Sequence, residues 1–204
     1  MVRVKICGIT TVADALAVVK LGADAIGLVF AKSPRQVTLD AARRISQVVG
    51  PWVSVVGVFV DAPAKKVLKT ARDCGLSVVQ LHGKETAQDA AKLAGLKVIK
   101  VFLVEGHFNA SDLKAYQSVG AFHFDAKVGD KIGGTGNTFD WKRLKNIQIQ
   151  KAVIISGGLH PGNVKQAVRF FNPYGVDVSS GVEKSPGKKD LKLVREFIQN
   201  AKKV

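Results

Sequence analysis

The chain is poor in cysteine and in long apolar runs. Two cysteines occur among its 204 residues, and no run approaches the ~20 apolar residues that a bilayer-spanning helix needs. The N-terminus passes within two residues into "VRVKIC" and shows no signal-peptide pattern. Cys7 and Cys74 fall in segments that resemble a strand end and a helix end, so we expect free thiols in a reducing compartment. These absences predict a cytoplasmic protein with no membrane partner.

Acidic residues are also scarce. Asp and Glu number 16 against 31 Lys and Arg, which gives a net charge of +15. This balance attracts nucleic acid, membrane headgroups and small phosphorylated substrates alike, so it does not choose among them. The sequence shows no zinc-finger spacing, no aromatic-rich basic strand and no block of five like charges. We interpret the lysines of segments such as "APAKKVLKTARD" as solvated helix faces and expect no nucleic-acid partner.

Short β-branched runs recur along the chain and predict eight strands. They are "VRVKIC", "DAIGLVF", "VSVVGVF", "SVVQLH", "KVIKVF", "AFHFDA", "AVIISG" and "GVDVSS". Segments with helical spacing of apolar residues lie between them, for example "TVADALAVVKLG" and "TLDAARRISQVVG".

Strands that alternate with helices require right-handed crossovers and a parallel sheet. Eight such units close into a (β/α)8 TIM barrel, here as a single α/β catalytic domain over residues 1–204. A doubly wound open sheet is the alternative. It normally carries a Gly-rich dinucleotide turn after its first strand, and "CGITTVAD" has only one glycine.

Active-site residues of a TIM barrel lie at the carboxyl ends of its strands. The residues at the predicted ends are Cys7, Phe30, Phe59, His82, Phe102, Asp125, Gly157, Gly158, Ser179 and Ser180. Side chains alternate along a strand, so Lys5 lies beneath Cys7 on the face that points into the barrel. A charge inside the barrel needs a partner, and Asp177 of the neighbouring last strand is the expected one. Lys5 and Asp177 are also candidate substrate contacts.

The polar residues at these strand ends allow more than one interpretation. Cys7 by itself is most often an inert small hydrophobe. Asp125 is either a structural acceptor for loop amides or a site acid whose pKa is raised by its apolar setting, and we expect it at a solvent-accessible position. His82, with Gln80 on the same face, is a candidate substrate contact. We expect no metal site, because the other strand ends offer too few histidines and carboxylates.

Glycine-rich turns follow the last two strands, in "ISGGLHPGNV" and "VSSGVEKSPGKKD". Glycines there let backbone N–H groups approach an anion, so the turns predict a phosphate site and a small phosphorylated substrate. The expected phosphate-binding residues are Gly157, Gly158, Ser179, Ser180 and Gly181. The long loop "KVGDKIGGTGNTFDW" is either a plain connection or a lid that includes Gly133, Gly134, Thr135 and Gly136.

Taken together, these stretches resemble the phosphoribosylanthranilate isomerase family. The matching pieces are "VKICGIT", "GADAIGLVFAKSPR", "VVQLHG", "FDAK...GGTGNTFDW", "SGGLHPGNV" and "GVDVSSGVE...PGKKD", in order along nearly the whole chain. The resemblance implies a step of tryptophan biosynthesis, the Amadori rearrangement of N-(5-phosphoribosyl)anthranilate to 1-(2-carboxyphenylamino)-1-deoxyribulose 5-phosphate. It implies neither a metal nor an organic cofactor.

The resemblance also implies roles for single residues. Cys7 matches the general base that removes the C2′ proton, and Asp125 matches the general acid that protonates the ring oxygen. Arg35, in "KSPR", matches the residue that holds the anthranilate carboxylate, a task suited to its planar fork of donors. Cys7 must then be largely thiolate, which Lys5 would favour, while Asp125 must hold a proton.

Three alternative functions have less support from the residues of this sequence. An indoleglycerol-phosphate synthase needs a lysine and glutamate set at the strand ends that we do not find, and a metal-dependent pentose phosphate epimerase needs paired His and Asp ligands. A nucleic-acid-binding protein rests on charge alone. The sequence leaves open whether the chain is a monomer or a homodimer.

Overall fold

The computed structural model describes residues 1–104, 109–128, 131–132, 141–144 and 149–204. None of the helices in these ranges has both the length and the apolar character that crossing a membrane requires.

Eight parallel strands close into a barrel, so the predicted TIM barrel and its eight strands are confirmed. The barrel strands are β1 (Arg3–Cys7), β2 (Ala25–Val29), β3 (Ser54–Phe59), β4 (Val78–Leu81), β5 (Lys97–Val104), β6 (Ala121–Val128), β8 (Ala152–Ile155) and β9 (Gly175–Val178). Around the barrel they follow the order β5, β4, β3, β2, β1, β9, β8 and β6, and pairing of β6 with β5 closes the circle. A short β7 (Lys131–Ile132) pairs antiparallel with the end of β6.

Helices follow most of the strands, as the sequence pattern predicts. The α-helices are α1 (Val12–Lys20), α2 (Leu39–Val48), α3 (Ala64–Asp73), α4 (Ala87–Ala91), α5 (Ser111–Lys114), α6 (Val164–Phe171) and α7 (Leu191–Lys202). Threonine hydroxyls cap the amino ends of three of them, since Thr11 accepts from the Asp14 amide, Thr38 from the Ala41 amide and Thr86 from the Asp89 amide. Within the described residues, the connection from β6 to β8 carries a 3-10 turn, Trp141–Leu144.

After β9 the chain forms a 3-10 turn, Ser180–Val182, and a two-stranded ribbon before α7. The ribbon consists of β10 (Glu183–Ser185) and β11 (Lys188–Lys189). It lies beyond the carboxyl end of the barrel, which we call the mouth. The ribbon therefore adds side chains to the mouth that do not belong to any barrel strand.

The barrel interior has two layers with different chemistry. The lower layer, toward the amino ends of the strands, is apolar and consists of Val56, Val78, Ile99, Ala121 and Ile154. Above it, most of the inward-facing residues are polar, and the buried polar side chains there are Lys5, Gln80, His123, Asp125, Ser156 and Asp177. Val58 and Val101 lie in the same layer, paired with Gln80 and His123. The apolar layer and the outer core under the helices stabilise the fold. The polar layer supplies the functional side chains at the mouth.

Candidate active site

Lys5 and Asp177 form the centre of the polar layer. They lie at paired positions on the neighbouring strands β1 and β9, and Lys5 Nζ donates to Asp177 Oδ2 at 2.8 Å. Both side chains are buried. Burial is the largest single influence and acts to lower the pKa of Lys5, but the charges of Asp177 and Cys7 and the hydrogen bonds to them together outweigh it, so the pKa is raised and Lys5 stays a cation. The ion pair expected between these residues is present.

Cys7 lies one pleat above Lys5, at the end of β1. It is paired with Gly27 of β2, and a Cβ built at Gly27 would come within 2.6 Å of Cys7 Sγ. The thiol therefore occupies space that only a glycine leaves open. Burial raises the pKa of Cys7, and the nearby cations Lys5 and Lys189 reduce this effect without cancelling it. Lys5 favours the thiolate, as expected, but desolvation is the stronger influence and keeps the pKa of Cys7 raised in the ligand-free protein.

Asp125 lies inside β6 and is buried, with 6% of its surface exposed. The expected solvent-accessible position is therefore wrong. Its Oδ2 is 3.4 Å from Nε2 of His82, whose Nδ1 lies 3.1 Å from Nε2 of Gln80. The other oxygen, Oδ1, has no hydrogen-bond partner in the described part of the chain. Asp125, His82 and Gln80 thus form one polar group, and Asp125 keeps an oxygen available.

His123 is a residue of the polar layer that the sequence analysis missed. It is fully buried, its Nε2 lies 2.7 Å from Ser156 Oγ, and the same nitrogen is 3.7 Å from Asp177 Oδ2. Burial and the cation Lys5 lower its pKa well below the ordinary value for histidine, so the ring is uncharged. The signal was available, because His123 lies two residues before Asp125 and so faces the same side of the strand.

Arg35 lies in the loop after β2 and reaches across the mouth to the ribbon. Its stem crosses Gly8, where a Cβ would lie 2.6 Å from Arg35 Cδ, and Gly8 has the left-handed φ of 76°. Arg35 Nε donates to Glu183 Oε1 at 3.0 Å, and NH2 donates to Oε2 at 2.7 Å. Lys189 Nζ donates to the same carboxylate at 2.7 Å. Glu183 and Lys189 were both missed, although they lie in the motif quoted for the last strand.

The two glycine-rich turns lie side by side at the mouth. Gly157 and Gly158 have left-handed φ angles of 82° and 64°. A Cβ at Gly181 would overlap the carbonyl oxygen of Leu159, so a side chain there would push the two turns apart. In the barrel order β9 and β8 separate β1 from β6. The turns that follow β8 and β9 therefore lie between the strand ends that carry Cys7 and Asp125.

A second buried ion pair, also missed, holds the loops after β3 and β4. Lys100 Nζ donates to Glu85 Oε2 at 2.8 Å, and both side chains are buried on the outer side of the barrel. The same Glu85 carboxylate accepts from the amides of Asp61 at 2.8 Å and Gly83 at 2.9 Å. Because Gly83 directly follows His82, this pair fixes the loop that begins at that histidine.

Comparison with known proteins decides the family. The family model for N-(5'phosphoribosyl)anthranilate (PRA) isomerase matches residues 4–200. The N-(5'-phosphoribosyl)anthranilate isomerase of Geobacter sp. (strain M21) is 48% identical over 205 residues, which cover 100% of both chains. The chain belongs to the phosphoribosylanthranilate isomerase family. It is therefore an isomerase, and the resemblance seen in the sequence is confirmed.

Solved structures of the isomerase family have the same fold. The phosphoribosyl anthranilate isomerase of Thermotoga maritima superposes with a TM-score of 0.91 at 43% identity, covering 100% of both chains. Another solved phosphoribosyl anthranilate isomerase is a complex with reduced 1-(o-carboxyphenylamino)-1-deoxyribulose 5-phosphate, with a TM-score of 0.86 at 40% identity and 100% of both chains covered.

The residues proposed as a lid, Gly133, Gly134, Thr135 and Gly136, lie outside the described residues. In the described ranges, no group of three or more His, Cys, Asp or Glu side chains is close enough to hold a metal ion.

Proposed function

We propose that this isomerase rearranges N-(5-phosphoribosyl)anthranilate with Cys7 as general base and Asp125 as general acid. Asp125 donates a proton to the furanose oxygen, which opens the sugar to a Schiff base, and Cys7 then removes the C2′ proton. The observation that carries this proposal is the position of the two residues, both facing into the mouth from β1 and β6, with the glycine-rich turns between them.

Separation along the barrel gives the two groups different surroundings. Lys5 and Lys189 act on Cys7, whereas Oδ2 of Asp125 lies 3.4 Å from Nε2 of His82. The pKa of Cys7 is raised in the ligand-free protein. We infer that the thiolate forms when the substrate is bound, because the protonated Schiff base brings a positive charge to the carbon beside Cys7.

The ends of the substrate are held by different parts of the mouth. We propose that Gly157, Gly158, Ser179, Ser180 and Gly181 bind the phosphate, for which buried Ser179 Oγ, without a hydrogen-bond partner in the described ranges, offers a donor. Arg35 binds the anthranilate carboxylate through its NH1 side, which Glu183 leaves open. Lys5, Gln80, His82 and Asp177 are the further substrate contacts that we propose, since their side chains are buried or nearly buried at the barrel interior.

We further propose that residues 1–204 act as one catalytic domain in the cytoplasm, as a monomer or a homodimer, without metal or cofactor. A dimeric phosphoribosylanthranilate isomerase from Thermotoga maritima and monomers generated from it are known. Light scattering of the purified chain would decide between the two states.

One assay tests the proposed reaction. Phosphoribosylanthranilate is generated in place, and the loss of its fluorescence is followed with and without EDTA. Equal turnover in both is expected from acid–base catalysis by side chains. A rate that depends on a metal, or no turnover at all, would contradict the proposal. Binding to random-sequence DNA is measured as the control for the alternative function, a nucleic-acid-binding protein, which net charge alone suggested. If that alternative were correct, the protein would bind the DNA and its affinity would fall steeply with salt.

Arg35→Ala is expected to raise KM by about tenfold or more and to change kcat less. The carboxylate is distant from the reacting carbons and is held in both the ground state and the transition state, so its loss weakens binding more than it slows chemistry. Steady-state kinetics would measure both constants, and Arg44→Ala, an exposed arginine on α2, is the control. A large fall in kcat at unchanged KM would contradict this role for Arg35.

A further inference from the structure

Glu183 is a buried carboxylate at the mouth that the proposed mechanism does not use. It is the first residue of β10, and only 4% of its side chain is exposed. A buried carboxylate is costly unless its oxygens are paired and hydrogen-bonded. Here both oxygens are paired, and every donor comes from a segment that borders the mouth.

The contacts of Glu183 are directional. Arg35 presents its Nε and NH2 edge, with Nε 3.0 and 3.1 Å from the two carboxylate oxygens and NH2 2.7 Å from Oε2. Lys189 Nζ at 2.7 Å and the amide of Gly187 at 3.3 Å complete the donors to Oε1. Burial works against the ionised carboxyl, but these hydrogen bonds outweigh it and hold the pKa of Glu183 below its usual range.

A paired arginine edge fixes the direction of the whole guanidinium, because that group is planar and rigid. The side chain of Arg35 is 18% exposed, and its NH1 group makes no hydrogen bond in the described part of the chain. Gly8 allows the stem of Arg35 to lie directly against the backbone that follows Cys7. The guanidinium is therefore held in one orientation next to Gly8 and cannot rotate freely.

Lys189 makes the net charge of the cluster formed by Arg35, Glu183 and Lys189 positive. Arg35 and Lys189 contribute two positive charges and Glu183 one negative charge, so one net positive charge remains at the mouth. Lys189 Nζ also donates to the carbonyl of Ser179 at 3.3 Å, in one of the turns proposed to bind phosphate. The same three side chains thus connect the carboxylate-binding group to the phosphate-binding backbone.

We propose that Glu183 is a positioning residue that sets the direction of Arg35 toward the aromatic carboxylate of the substrate, while Lys189 restores the positive charge that Glu183 would cancel. The inference rests on the proposed function of Arg35. It makes Glu183 a determinant of specificity for substrates that carry a carboxylate on the ring.

The competing explanation, in which Glu183 is only a counter-charge, predicts the opposite change in anion affinity when Glu183 is replaced by glutamine. Glu183→Gln removes one negative charge, which raises the net charge of the group and should tighten the binding of an anion. If Glu183 positions Arg35, the same change weakens that binding, because glutamine replaces one acceptor oxygen with an NH2 donor and the two-oxygen pairing with the Nε and NH2 edge of Arg35 is lost. Glu183→Gln with Lys189→Gln keeps the net charge and leaves no buried cation unpaired. It separates the two explanations even if the single variant fails to fold.

Two ligands give the readout: reduced 1-(2-carboxyphenylamino)-1-deoxyribulose 5-phosphate and its counterpart without the ring carboxylate. The ratio of their Kd values by calorimetry is the carboxylate preference. We expect E183Q and the double variant E183Q/K189Q each to lower it by about tenfold, as loss of a charged hydrogen-bond pair would. Glu196→Gln, the same chemical change on α7, should leave it unchanged. In turnover, KM should rise more than kcat falls.

Three results would overturn the inference. They are a higher preference in E183Q, an unchanged preference in the double variant, and an equal loss of affinity for both ligands, which is what general damage to the site would produce. Arg35→Ala is measured alongside to separate the two proposals. If Arg35→Ala leaves the preference intact, the role proposed for Arg35 itself fails. If it abolishes the preference while the Glu183 variants keep it, only the inference about Glu183 fails.

Discussion

Cys7→Ser is expected to lower kcat by about 10³-fold or more, within the range that acid–base groups supply. Serine keeps the shape of the residue, so it still fits over Gly27. A hydroxyl is a far weaker acid than a thiol, and burial already raises the pKa of Cys7 itself. The variant therefore has almost no anionic base at neutral pH. The fluorescence assay measures the loss of turnover.

Binding and catalysis should separate in this variant. The reduced product analogue needs no proton transfer, so its Kd should remain close to that of the wild type. Cys74→Ser is the matched control, since Cys74 is also a buried thiol but lies at the end of α3, away from the mouth. Full activity of Cys7→Ser would mean that the cysteine only packs the strand end, and His82 would be the next candidate for the base.

Alkylation tests the protonation state of Cys7 independently. Iodoacetamide reacts with the thiolate, so labelling of the ligand-free protein should be slow near neutral pH and should accelerate about tenfold per pH unit while the thiol remains mostly protonated. The product analogue should slow the reaction by covering Cys7. Fast labelling that is independent of pH above neutrality would contradict the raised pKa.

The fold was predictable because its signals are local and repeated. Eight β-branched runs alternate with amphipathic helices, and Thr11 and Thr38 mark helix starts by hydrogen bonds that span only three residues. The pair of Lys5 and Asp177 also followed from simple rules, since alternation places both inside the barrel and closure makes their strands neighbours.

The electrostatics of the site did not follow from the sequence. The sign of the Cys7 pKa shift depends on whether burial or the nearby cations dominate, and only the three-dimensional structure gives the depth of the thiol. Glu183 was missed for a related reason. It lies 148 residues from Arg35 along the chain, and their contact depends on how the ribbon after β9 folds back over the mouth.

Asp125→Asn is expected to lower kcat by at least about 10²-fold, the effect typical of losing a general acid. Asparagine keeps the shape of the side chain, but its amide N–H is far too weak an acid to protonate the ring oxygen. The fold should survive despite the burial of Asp125, because Oδ1 has no hydrogen-bond partner in the described ranges and Oδ2 has only the 3.4 Å contact with His82 to lose. Thermal unfolding by circular dichroism measures this directly.

The reduced product analogue gives the second half of the test for Asp125. Its sugar is already open, so a residue whose task is to open the ring should not be needed to bind it, and Asp125→Asn should bind it as the wild type does. Asp112→Asn, an exposed aspartate on α5, is the control for the chemical change. A variant that unfolds would support a structural role for Asp125. A folded variant with wild-type turnover would place the acid elsewhere, and His82, in contact with Asp125, would then be tested by His82→Gln.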